Sequence, residues 1–509
     1  TIGTRCFLSG GIGWLVDYST SSGYSVSGLT NNGNITMAGT AACTTQLGGL
    51  IAATTIESKA KTHTCSNLTN LGNITVSGST QTCYLSGVGQ RSTGNATSLV
   101  NGDPNDPTKG VLTFSGNTIG ETRLNLSGVM YDFDGNATSC VNYAPINFSG
   151  NTGMTFHCGG LSSTFVNPDK TWTECCNYGK ITLSGEVGST SITGSDSGAD
   201  TFVGGLCELV TESTSPRNFV RCVNYGDIEF TETFKSANAM RSAGFYPRQE
   251  NNGAVVLEDC ANEGNVTFNG TGSSRSGGNF KLAGGIADLG KSTVTIKGSF
   301  INRGNVTVGG GNSRSSVYVG GVFGHNQDAC SVVKGGDSDV VVTNTGHITY
   351  TGFSNSSLRV GGVFGTINEE VVLDNNIKLI NAGDLTVTGS FGADGTAYVG
   401  GIAANVIKVA NAESYSEITA YYLKDGEVAS YTGVGIIAGG ARGATTLATN
   451  CKVGGGINKY NVEEDTHELQ RVTASNFYNF IYGSGKDTDW SGTDNYDGCS
   501  HLATRPTIE

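Results

Sequence analysis

Any chemistry in this chain has to come from a small set of side chains. Carboxylates stand two apart at Asp132 and Asp134 in YDFDGN, and again at Asp487, Asp489, Asp494 and Asp497 in KDTDWSGTDNYDGC. Aspartates so placed can share a hard cation such as Ca2+, although the second stretch lacks the glutamate that closes an EF-hand loop. The same residues also form turns without any ion. Tyr143, Tyr178 and Tyr225 occupy one place in three successive repeats. Facing outward they would offer flat surfaces to sugar rings; stacked on each other they stabilise the fold and need no ligand.

Other chemistries find no support. The six histidines, His63, His157, His325, His347, His467 and His501, are scattered, and neither HExxH nor CxxC occurs, so zinc is not expected. A P-loop is absent. Gly433-Val434-Gly435-Ile436-Ile437-Ala438 imitates a dinucleotide fingerprint but has no βαβ setting. No organic cofactor is implied, and Ca2+ is the single ion with any candidate ligands. A polysaccharide lyase or glycosidase would need carboxylates gathered across neighbouring coils. Here the acids are sparse and fall in different frames, leaving Asp132 and Asp134 as the first residues to test for that activity.

The elements that would position these groups are visible as a repeat. NNGNITM, NLGNITV, NYAPINF, NYGKITL, NYGDIEF, NEGNVTF, NRGNVTV, NTGHITY and NAGDLTV share a frame, led by Asn31, Asn70, Asn142, Asn177, Asn224, Asn262, Asn302, Asn344 and Asn381. Degenerate copies are TKGVLTF, with Thr108 in the asparagine place, and KDGEVAS from Lys424. Apolar, polar, apolar alternation follows, as in Ile181-Thr182-Leu183, which is the period of a half-buried strand. The glycine two places after the asparagine is expected to turn a corner at positive φ. A second column pairs glycines: Gly10-Gly11, Gly48-Gly49, Gly159-Gly160, Gly204-Gly205, Gly284-Gly285, Gly320-Gly321, Gly361-Gly362 and Gly400-Gly401, with weaker versions at Gly87, Gly128, Gly244 and Gly435.

A unit this thin cannot bury its own apolar face, so neighbours must stack. The expected fold is all-β, a parallel β-solenoid of about eleven coils over residues 1–455, forming a rod on the order of 50 Å long. Two smaller coils per repeat is the alternative geometry. A propeller ranks lower, since the copies outnumber its usual blades. Residues 456–509 depart from the pattern and are expected to cap the last coil, with a short helix starting at Thr473 or Ser475. The chain opens inside a repeat, as a processed product or fragment would.

Cysteines occupy an apolar column two places before the asparagine, at Cys140, Cys175, Cys222 and Cys260, and a looser one at Cys6, Cys43 and Cys83. Two readings stand side by side. The thiols are small buried hydrophobes, or neighbours join as disulfides, the rung spacing lying within the usual Cα separation of a bridge. Sequons at Asn34, Asn73, Asn265, Asn305, Asn95, Asn136 and Asn355 are by-products of a repeat rich in Asn, Ile and Thr.

Composition sets the outer bounds. Glycine supplies 77 of 509 residues, about twice the typical ~7%. Charged residues are only 14% and the formal net charge is −13. Long helices are therefore not expected, a nucleic-acid partner is not expected, and no apolar run is long enough to span a bilayer as a helix.

VGGVFG at Val319 to Gly324 and at Val360 to Gly365, each followed by an N-x-G-x-[IVL]-T strand, resembles the GLUG-motif repeats. ASNFYNFIYG followed by DGCSHL is similar to the tails of such proteins. That family consists of large secreted and surface proteins, especially of Bacteroidota. The resemblance implies an extracellular or cell-surface location and a structural or adhesive role, with glycans or host-cell proteins as partners. Coil ends are strand edges, so end-to-end self-association into filaments is a further expectation. Variable segments such as those from Glu186 and Gly309 would line one edge and carry recognition. The rival expectation is a carbohydrate-active β-helix enzyme.

Overall fold

In a computed structural model the regular elements among the described residues are strands, with one 3-10 turn. Residues 5–508 are described apart from a set of segments, the longest being 18–22, 57–62, 188–199, 232–238, 270–278, 442–446 and 485–497. One coil gives the plan. Thr64–Asn70, Ile74–Val76, Ser79–Ser86 and Gly89–Ser92 lead into Ala96–Asn101, which lies in register on Thr64–Asn70. Each stretch pairs in parallel with its copy one repeat later, so the fold is the expected parallel β-solenoid, with one coil per repeat rather than two. Ile181 pairs with Ile228 and Ile228 with Val266, all three buried. About nine coils, from Asn70 to Asn381, are stacked on both sides. The eleven expected include the Asn31 coil, covered on one side, and a coil with serine in the asparagine place.

The asparagines are not surface corner residues: they form an internal ladder. Asn224 Nδ2 donates to Asn262 Oδ1 at 2.8 Å, and its Oδ1 accepts from Asn177 Nδ2 at 2.8 Å. The same link runs from Asn31 to Asn381, where Ser416 Oγ receives the last bond. Each Nδ2 also donates to a nearby main-chain carbonyl, two residues on as Asn224 does to Gly226 at 2.9 Å, except that Asn101 reaches Gly110 across an insert. A carbonyl only accepts, so this second bond fixes which amide atom is nitrogen. Buried amides paired in this way avoid the cost of unsatisfied polar groups.

The glycines follow from the ladder. A Cβ at Gly49, Gly87, Gly128, Gly160, Gly205, Gly244, Gly321 or Gly362 would strike a ladder asparagine amide and a main-chain carbonyl of the next coil, and one at Gly284 would strike the Asn302 amide. The aligned pairs are accordingly Ser9-Gly10 and Ala283-Gly284 rather than Gly10-Gly11 and Gly284-Gly285. The glycine two after the asparagine does not adopt positive φ. A Cβ at Gly226 would collide with the Gly179 carbonyl, and that close approach is what excludes a side chain. Positive φ sits instead at Asn67, Ser98, Ser139, Glu174, Arg221, Asp259, Asn411 and Asn450, at 50–54°. The bend is held from outside: the Glu174 and Arg221 amides donate to Val220 and Glu258 carbonyls of the following coil.

Two weak copies differ from expectation. Asn101, not Thr108, takes the ladder position, and residues 102–109 are an insert before Gly110 and Leu112. KDGEVAS contributes an antiparallel hairpin, Tyr422–Lys424 with Glu427–Ala429, while Ile418 supplies the rung. At the C-terminal end Lys452–Asn461 carries the stacking past 455 and turns back as an antiparallel pair with Thr466–Arg471. A 3-10 turn, Phe477–Phe480, starts after Asn476, later than Thr473 or Ser475. Tyr482–Ser484 and Ser500–His501 then add to two faces of the last coil.

Candidate functional site

The solenoid brings the three tyrosines together on its outside. Each follows a ladder asparagine and its amide donates to the ladder residue one coil earlier, so the rings fall in line. Tyr143 and Tyr178 stack with centroids 5.1 Å apart, and Tyr178 and Tyr225 at 4.5 Å and 7°. Tyr178 and Tyr225 are 45% and 43% exposed. Their mutual stacking covers the inner ring faces, so a sugar would meet ring edges, hydroxyls and the outer face of a terminal ring. Partial burial beside Cys176 and the other rings pushes the Tyr178 phenol up to about 12, so the middle ring is uncharged at neutral pH.

Asp132 and Asp134 are also brought together, but with a guanidinium. Arg91 Nε donates to Asp134 Oδ2 at 2.6 Å and lies 3.4 Å from Asp132 Oδ2; Thr164 Oγ1 donates to Asp132 Oδ1 at 3.1 Å. Burial first, and Asp134 second, push the Asp132 carboxyl up to about 7. A cation here would have to displace Arg91, and no cluster of three or more His, Cys, Asp or Glu side chains suited to a metal occurs among the described residues. Asp487, Asp489, Asp494 and Asp497 lie outside the described residues.

Cys140, Cys175, Cys222 and Cys260 form the expected buried column, and burial raises the Cys175 and Cys260 thiols. They are free thiols, so the bridged alternative is not what the structure contains. In-register parallel strands point stacked Cα–Cβ bonds the same way about 4.8 Å apart, wider than the ~3.8 Å a disulfide prefers between Cβ atoms. Cys6 and Cys83 both lie opposite Thr45, with Cys43 two residues away, so these three are not one column. They too are free.

One cluster has no counterpart in the motifs read from the sequence. Three places before each buried glycine an outward side chain recurs: His157, Phe202, Arg241, Lys281, Tyr318, Arg359 and Tyr398 pair in succession. The chain then bends sharply, and a second file, Arg248, Asp288 and His325, faces them across the corner. Asp288 Oδ2 accepts from Arg241 Nε at 2.7 Å and Lys281 Nζ at 2.8 Å, and its Oδ1 lies 3.0 Å from His325 Nδ1. The Phe202 ring has Arg241 on it at 5.1 Å and Arg248 at 5.6 Å. Although burial opposes ionisation, Lys281, His325 and Arg241 hold the Asp288 carboxyl well below its usual range. Burial lowers Lys281 and His325. The signal lay in the column three before the glycine, large or charged from His157 to Tyr398, whose variety hides it from a motif search.

No family model, curated protein or solved structure matches this chain. Function therefore has to be argued from these residues. Among the described residues, no helix is long and apolar enough to cross a membrane.

Proposed function

We propose that the chain is a non-catalytic structural or adhesive protein, working outside the cell or on its surface, in which a stiff solenoid holds variable segments and an aromatic stripe in fixed positions. The observation that carries this reading is the continuous buried asparagine ladder, which gives every coil the same internal skeleton while leaving its outer residues free to vary. Tyr143, Tyr178 and Tyr225 are the residues assigned to contact with glycans or cell-surface proteins. Of the variable segments, that after Glu186 falls largely outside the described residues, and that after Gly309 places Asn312–Ser313 beside Phe353–Ser354. The resemblance to GLUG-motif surface proteins points the same way. The test is binding of the full chain to a glycan array and to intact cells, with Tyr178→Ala/Tyr225→Ala alongside. Loss of binding by at least ten-fold supports the reading; unchanged binding removes the stripe from it, and absence of binding to either removes adhesion.

The rival reading, a carbohydrate-active enzyme, draws on one feature: the raised Asp132 carboxyl beside Asp134, since acid catalysis needs a proton held near neutral pH. Release of reducing or unsaturated sugars from a polysaccharide panel, abolished in Asp132→Asn, would establish it.

A further inference from the structure

We propose that the corner formed by Arg241, Arg248 and Lys281 binds an oxyanion, the carboxylate or sulfate group of an acidic polysaccharide. The site is distinct from the tyrosine stripe and holds for an adhesin or an enzyme alike. Arg241 and Lys281 contact one fully buried carboxylate, Asp288; a second, Asp200, lies 3.9 Å from Arg241 Nη1, and the third cation, Arg248, rests on the Phe202 ring beside them. With His325 neutral, one positive charge is left uncompensated in a place where the side chains are mostly buried. Such a charge is costly unless an anion or water meets it.

The ion pairs do not use all the donors of the corner. Arg241 reaches Asp288 through Nε, while its Nη1 is buried and makes no hydrogen bond. Arg248 is partly exposed and lies against Phe202. A guanidinium presents paired N–H groups in a planar fork that fits carboxylate and sulfate oxygens, and it keeps its charge at any relevant pH. The surroundings favour a sugar polymer over a free ion. Aromatic and basic residues alternate along the file on either side, with Tyr318 against His325 at 4.3 Å and Arg359 over Tyr398 at 4.6 Å. Tyr318 and Tyr398, partly exposed on the same file, could take pyranose faces while the cations take acidic substituents. In a chain of net charge −13 this concentration of cations is local, not a property of the whole surface.

The test is calorimetric titration of the full chain with polygalacturonate, heparin, neutral dextran and inorganic sulfate. We expect both acidic polymers to bind and dextran not to. Arg248→Gln should weaken polymer binding at least ten-fold with little change in Tm, because Arg248 is partly exposed. Lys281→Met should weaken it as well, with thermal unfolding followed to separate lost binding from lost folding. Failure of both acidic polymers to bind, or Arg248→Gln binding as tightly as wild type, overturns the site. Inorganic sulfate binding as tightly as the polymers overturns the polysaccharide assignment, the ligand then being a free ion.

Discussion

Replacing Asn224 with alanine removes the middle of a hydrogen-bonded column. Asn177 Nδ2 loses its acceptor and Asn262 Oδ1 its donor, both fully buried. The expected loss is about 2–4 kcal/mol, seen as a lowered Tm and as faster amide exchange in the coils around Asn177 and Asn262. Asn224→Asp should be as damaging at neutral pH, since a carboxylate cannot donate onward. A second residue-scale prediction concerns Asp132. Its carboxyl is raised in the folded protein, so its contribution to stability is complete below the unfolded value of 3.8 and is lost as pH rises towards about 7. Asp132→Asn should therefore flatten the fall in Tm between pH 4 and about 7 and leave the variant more stable than wild type at neutral pH. A wild-type Tm that does not fall across this range would contradict the assignment.

At the scale of the strand and its corner, the glycine pair and the asparagine are one device. Gly205→Ala should destabilise as strongly as the loss of an asparagine, because the added methyl meets Asn224 and the Gly244 carbonyl, neither able to retreat in a stacked coil. Circular dichroism melts of Gly205→Ala and of Gly39→Ala, whose Cβ would meet nothing, provide the comparison. Both columns were visible in the sequence as spacings, and so were the buried Ile and Val positions and the threonines between them. What was hidden was the physical reason. Asn and Gly are common turn formers, so a local reading assigns them to a corner, whereas the packing of one against the other is made between residues such as Gly205 and Asn224, at opposite ends of a coil. The Asn101 insert escaped for a related reason: Thr108 keeps the spacing to Leu112 that the ladder residue itself has lost. The charged corner escaped because its pairs, Arg241 with Asp288 for example, lie 47 residues apart and in different columns.

Over the whole molecule, coils built on one skeleton make length adjustable. Asn177 and Asn224 are 47 residues apart and occupy the same place in adjacent coils. Deleting residues 178–224 joins Asn177 to Tyr225 in register and should yield a folded rod shorter by one rung, about 4.8 Å, measurable by small-angle scattering. It also unites Tyr143 with Tyr225 as direct neighbours. Collapse of the folded state on deletion would mean that the coils are not interchangeable.

The side-chain amides of the ladder all point one way. From Asn31 to Asn381 each carbonyl oxygen is turned towards the N-terminal end of the rod and each NH2 towards the C-terminal end. Their dipoles therefore add along a dry axis, leaving an electron-rich cap at Asn31 and a proton-donating tail at Asn381, which Ser416 already receives. Any coil laid against the Asn31 end, from this chain or another, is met by an acceptor and must bring an N–H or O–H to it. A coil stacked there would have to lie head to tail with the ladder, and two such ends brought face to face would repel.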